Sequence, residues 1–180
     1  MNLNYLKKSV ILVSLGILLF HPGYASQSTS DTAIQNEILV HINEYRKSHG
    51  LPKLAMDNRI VKEAKNHSID MANQTMPFGH KYFKSRIDRL HGEIKNSNAG
   101  AENVAYNYKD AQDVVKNWLR SPGHKANIDG HYNLTGIGIA RDRKGKIYYT
   151  QIFLRTGAAN YAIHRPMQNI FHIPFLKTKA

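Results

Sequence analysis

Apolar residues recur at helical spacing from Asp31 to Leu119, and two short runs joined by a turn signal follow after residue 134. From Asp31, the residues Ile34, Ile38, Leu39, Ile42 and Tyr45 share one helical face, and Gly50 follows Lys47 and His49 as a stop. Pro52 makes a turn, and Asp57 is placed to cap a second helix. That helix presents Ile60, Val61, Ala64, Ser68, Met71 and Ala72 before polar residues end it near Gln74. Pro77-Phe78-Gly79-His80 reads as a loop. A shorter helical stretch runs from Phe83 to Leu90, and Gly92 and the segment 96–100 break its pattern. Ala101-Glu102-Asn103-Val104-Ala105 fits a strand or a helical turn equally well. Asp110 is a fitting N-cap for a helix over Ala111 to Leu119 that carries Val114, Val115 and Trp118 on its apolar face. Ser121 and Pro122 then have the chemistry of an N-cap and a first helical residue, so a short helix starts there and His124 falls in its first turn. Thr135 to Ala140 and Lys146 to Leu154 read as strands joined by the turn Asp142-Arg143-Lys144-Gly145. Helices first and a hairpin last predict an α+β domain, with helices packed on a small antiparallel sheet.

The two ends of the chain read differently. Residues 1–25 have the pattern of a secretory signal: Lys7 and Lys8, an apolar run from Ser9 to Phe20 too short to span a bilayer comfortably, and Gly23-Tyr24-Ala25 with small residues at the cleavage positions. An exported protein is expected, periplasmic or secreted, with no transmembrane helix once the leader is cleaved. Residues 26–33 form a flexible polar lead, 34–156 a single domain, and 157–180 an extension that is irregular and basic yet keeps Ile163, Met167, Ile170, Phe171, Ile173, Phe175 and Leu176. That extension is too apolar for an ordinary disordered tail, which points to packing over the domain or to contact with a partner or surface.

Charge and cysteine content narrow the chemistry. The formal net charge is +12, and the predicted leader contributes only two lysines to it. This excess favours association with anionic surfaces such as envelope polymers. The basic residues are scattered without a nucleic-acid-binding motif, so specific nucleic-acid recognition is not expected. The chain has no cysteine, which excludes disulfide staples, a lipoprotein anchor and thiolate zinc sites.

Among 10 histidines, His41, His49 and His67 fall in helical stretches among polar neighbours and His164 and His172 in the extension; these are expected at the surface. His80 and His124 stand apart, each beside a glycine where an element ends or begins, a setting that leaves a side chain free to face a cleft. The helix dipole disfavours an imidazolium at position 124. Glu102 lies in an apolar context in which a buried carboxylate needs a partner. Two neutral imidazoles and a carboxylate suit zinc or another divalent cation; they equally suit a hydrogen-bonded cluster without metal.

Six segments occur in an order and at a spacing that resemble the bacterial branch of the CAP superfamily, the SCP-like domains named with cysteine-rich secretory proteins, antigen 5 and pathogenesis-related 1 proteins. They are Phe78-Gly79-His80, Ala101 to Ala105, Val114 to Trp118, Ser121 to Ile128, Thr135 to Gly138 and Tyr149 to Phe153. The resemblance implies an α-β-α sandwich, its central, mostly antiparallel sheet covered by helices on both faces. It also implies a central cleft with His80, Glu102 and His124, in which some members hold a divalent metal. Many eukaryotic members carry a second glutamate three residues after the helix tryptophan, where this chain has Ser121. The implied function is an exported module binding a small ligand or an envelope or host surface component. The alternative is a zinc-assisted hydrolase in which His80 and His124 hold the ion and Glu102 serves as ligand or general base.

Overall fold

The first described helix, α1 (Asp31–Ser48), is capped by Ser30, whose side chain accepts the amide of Ala33. It therefore begins inside the stretch assigned to the flexible lead, and residues 31–33 form its first turn. A computed structural model describes residues 30–157; the predicted leader and most of the C-terminal extension lie outside them. After α1 the chain runs through β1 (Ala55–Met56), α2 (Asn58–Ala72), α3 (Phe83–Glu93), β2 (Ser97–Tyr106), α4 (Ala111–Arg120), α5 (Pro122–Asp129), β3 (Leu134–Arg141) and β4 (Ile147–Thr156).

The sheet has the order β1-β3-β4-β2, with β1 parallel to β3 and the other pairs antiparallel. Helices cover both faces. Ile34, Ile38 and Ile42 of α1, Val114, Val115 and Trp118 of α4 and Ile128 of α5 pack on Ala101, Ala105, Ile137, Ile139, Tyr149 and Phe153. Ile60 and Ala64 of α2 and Ile87 and Leu90 of α3 pack on the opposite face, against Ile152 and Leu154. The alternation of Tyr149 and Phe153 with Ile152 and Leu154 along β4 follows from the two-residue period of a strand buried on both sides.

The contact between α2 and β3 is unusually close. A Cβ at Gly136 would lie 2.3 Å from the backbone of Ile60 and Val61, and one at Gly138 would lie 2.1 Å from that of Ala64 and Lys65. Glycine at these alternate positions lets the helix backbone rest directly on the strand. On the other face Arg46 is fully buried and donates to the carbonyls of Pro52, Ile128, Gly130 and Tyr132 at 2.6 to 3.1 Å. It thereby ties the end of α1 to the end of α5, the helix that carries His124.

Three local expectations are corrected. Gly92 lies within α3 rather than breaking it, and β2 starts already at Ser97. Ser121 occupies the N-cap position of α5 with extended backbone, but its side chain makes no capping hydrogen bond. The two-residue strand β1 follows no periodicity the sequence displays; its register with Leu134 and Thr135 is set by the neighbouring strand.

Candidate functional site

The site lies along β2, which is an edge of the sheet, and draws on both helical layers. The loop between α2 and α3 supplies His80, and α5 supplies His124. Gly79 has φ of +136°, a conformation open to glycine, and its carbonyl accepts a hydrogen bond from His67 Nε2 at 2.8 Å. The next residue is thereby presented to β2, where His80 Nδ1 donates to Glu102 Oε1 at 2.9 Å. On the α5 side, Asn127 donates to the Glu102 carbonyl at 3.0 Å and to Asn103 Oδ1 at 2.8 Å, while Asn103 Nδ2 donates to the His124 carbonyl at 3.2 Å.

Glu102 is buried and its carboxylate is fully engaged. Arg86 of α3 grips it with two parallel bonds, Nε to Oε2 and Nη2 to Oε1, both 2.8 Å. Burial pushes the Glu102 carboxyl up, but the hydrogen bonds from His80 and Arg86 and the guanidinium charge outweigh it and leave the acid below its usual range. His67 is buried within the same cluster, 3.9 Å from Glu102 Oε1. Burial first, and then the charge of Arg86, lower its pKa, so its contact with Glu102 is that of a neutral imidazole.

His80 and His124 both line a cavity of 480 Å³ with Phe78, Tyr106, Trp118 and Ser121. The ring of Trp118 flanks His124 at a centroid distance of 6.4 Å. Burial and the neighbouring His80 lower the pKa of His124, in keeping with the neutral state expected at the start of α5. Because Nδ1 of His80 carries the hydrogen bonded to Glu102, a neutral His80 has its lone pair on Nε2. The structure thus brings His80, His124 and Ser121 to one cavity and sets Glu102 behind His80. Glu102 lines a smaller neighbouring pocket of 360 Å³, together with His80 and Asn127. For a bound divalent ion the available donors are the two imidazoles; the carboxylate oxygens are held by Arg86 and His80. This set fits a two-histidine metal contact and does not fit the three-ligand centre that a zinc hydrolase requires.

Two members of the cluster escape sequence reasoning. His67, expected at the surface, is buried, and Arg86 stood out by no motif. The signal was their position. His67 lies three residues after Ala64 and four before Met71, and Arg86 three after Phe83 and four before Leu90, so both polar side chains fall within apolar helical stripes.

A three-layer sandwich with two histidines meeting at the edge strand of its central sheet defines the class that the motif order suggested. The chain belongs to the cysteine-rich secretory protein family, known as CAP, whose family model matches residues 39–153. It is 41% identical over 128 residues to the uncharacterized membrane protein YlbC of Bacillus subtilis (strain 168), a match covering 69% of this chain and 35% of that one. Identity to the uncharacterized protein YkwD of the same organism is 30% over 131 residues, covering 72% and 50%. The chain therefore spans half or less of the length of these curated relatives. Among solved structures, an extracellular protein containing an SCP domain from Bacillus anthracis superposes with a TM-score of 0.57 at 26% identity, covering 73% of this chain and 45% of that one. A cysteine-rich secretory protein (SAV1118) from Staphylococcus aureus gives 0.60 at 23% identity, covering 72% and 40%.

Proposed function

We propose that the domain is an exported, noncatalytic binding module whose cleft takes a small ligand with an apolar body and a hydrogen-bonding end. The observation that carries this reading is the engagement of Glu102: with Arg86 and His80 on its two oxygens, the one acid of the cluster is a structural anchor that orients His80. A zinc-assisted hydrolase would need that carboxylate as a ligand or as a general base. The cavity instead offers rings for an apolar body, from Phe78, Tyr106, Tyr108 and Trp118, beside polar ends from His80, Ser121, Asn117 and His124. Export and an extracellular or envelope location rest on the leader pattern of residues 1–25. Among the described residues no helix is long and apolar enough to cross a membrane. A divalent ion, if bound, would be held by His80 and His124 and would supply a polar contact for the ligand.

Trp118 is the single tryptophan of the chain and lines the cavity, so its fluorescence reports on the site directly. The test titrates 4-phenylbutyrate and, separately, zinc into the full chain. Phenylbutyrate is expected to change Trp118 emission with saturation, and His124→Ala to weaken that binding by roughly tenfold, the worth of one hydrogen bond to a charged group. Stoichiometric zinc binding accompanied by hydrolysis of an activated ester, both lost in Glu102→Gln, would replace this reading with the hydrolase.

A further inference from the structure

A second surface leaves the cleft and ends at the β3–β4 hairpin. Phe78 and Tyr106, which line the cleft, meet at a ring-centroid distance of 5.1 Å, and Tyr106 stacks on Tyr148 at 5.6 Å and 25°. Tyr106 and Tyr148 are cross-strand partners near the ends of β2 and β4. They lie past the reach of α2, which stops at Ala72. Phe78 and Tyr106 remain 49% and 46% exposed, which sets them apart from the buried rings of the core.

Tyr148 in turn forms part of the wall of a groove of 730 Å³ between the end of α2 and the hairpin turn. Arg143, Lys144 and Lys146 line the groove, and none of them forms an ion pair among the described residues. The acid beside them is already in use: Asp142 Oδ1 accepts the backbone amides of Lys144 at 2.8 Å and Lys146 at 2.9 Å, which closes the turn. Three cations against the single Asp142 leave the groove cationic at the hairpin turn, and at Tyr148 it borders the aromatic row that leads back through Tyr106 to Phe78.

These features select an occupant. A bilayer surface is met by a convex apolar face or an amphipathic helix, whereas this is a concave groove with three cations. Single-stranded nucleic acid is tracked by a long basic channel with separate aromatic platforms; here the charge is confined to one hairpin and the rings stack on one another. A sugar polymer with spaced acidic groups matches both ends, since the negative ring face attracts the C–H face of a pyranose and the cations meet its acids. We propose that this surface binds an anionic polysaccharide, with its sugar rings against Phe78 and Tyr148 and its acidic groups against Arg143, Lys144 and Lys146. The proposal stands on the hairpin and the aromatic row; Phe78 is shared with the cleft, so Tyr148 and the hairpin cations are the positions that test it apart from the cleft ligand.

The test uses the full chain and four probes in a fluorescence-anisotropy competition: carboxymethyl-dextran, neutral dextran, polyacrylate of matched length and charge, and oligo(dT). Carboxymethyl-dextran is expected to bind at least tenfold more tightly than each of the other three. Lys144→Ala/Lys146→Ala should weaken it about tenfold and flatten its salt dependence. Tyr148→Leu should weaken carboxymethyl-dextran but leave polyacrylate unchanged, with Phe78→Leu as the replacement should Tyr148→Leu lower the melting temperature. Equal binding of polyacrylate would reduce the surface to a charge effect, preference for oligo(dT) would make it a nucleic-acid surface, and absence of carboxymethyl-dextran binding or indifference to both ring substitutions would leave no glycan site. Each of these results overturns the proposal.

Discussion

At the scale of single residues, the site is governed by one buried acid and the basic side chains around it. Removing Arg86 leaves Glu102 buried with a hydrogen bond from His80 as its main compensation, a situation that costs about 3 to 5 kcal/mol when a buried pair is broken from one side. Arg86→Met is therefore expected to lower the urea midpoint sharply, and Arg86→Met/Glu102→Gln to recover a substantial part of the loss. Equal destabilisation by the single and double variants would show that packing, and not the stranded charge, dominates. Acid should act on the same cluster. Both Glu102 and His67 have native pKa values below their ordinary ones, so the unfolded chain binds protons more readily than the native protein does. Stability from His67 is fully present above its ordinary value of 6.5 and is lost as pH falls from there through its lowered native pKa; that from Glu102 follows below 4.5. Urea melts at several pH values should show stability declining already below about pH 6.5, and His67→Gln should reduce the first part of that decline, leaving the share of His124, whose pKa is lowered as well.

At the scale of elements, the helices were legible because each buries one side, and the hairpin because the turn Asp142-Arg143-Lys144-Gly145 separates two short strand-like runs. A stripe at helical spacing and a cap such as Asp57 or Asp110 are consequences of one-sided burial. β2 was ambiguous because five consecutive residues, Ala101 to Ala105, are buried, so neither alternation nor a stripe remains to be read, and no hairpin turn marks it as it marks β3 and β4. His80 and His124 could be singled out from local context, while Arg86, His67 and Arg46 could not, since a polar side chain in an apolar stripe finds its partners only through the fold. The two glycines of β3 show how strictly elements are fitted. Gly138→Ala places a methyl group against helix backbone, which unlike a flexible side chain has no room to give. The expected loss is about 1 to 3 kcal/mol or more, read as a drop in melting temperature. Gly123→Ala, where a Cβ would meet nothing within 4 Å, is the control expected to change stability little.

At the scale of the whole molecule, two separate apolar cores hold one sheet between them, and the cleft opens where the sheet ends. That placement has a consequence for behaviour at high protein concentration. A bare edge strand is a template for another chain, and β2 is long enough to serve as one. Its outward carbonyls at Glu102 and Val104 are instead taken by Asn127 at 3.0 Å and by the indole of Trp118 at 3.5 Å, both from the helices that frame the site. The residues that shape the pocket thus also act as a guard rail against strand-to-strand recruitment. Mutational loss of the pocket would expose the protein to self-assembly as well as to loss of binding.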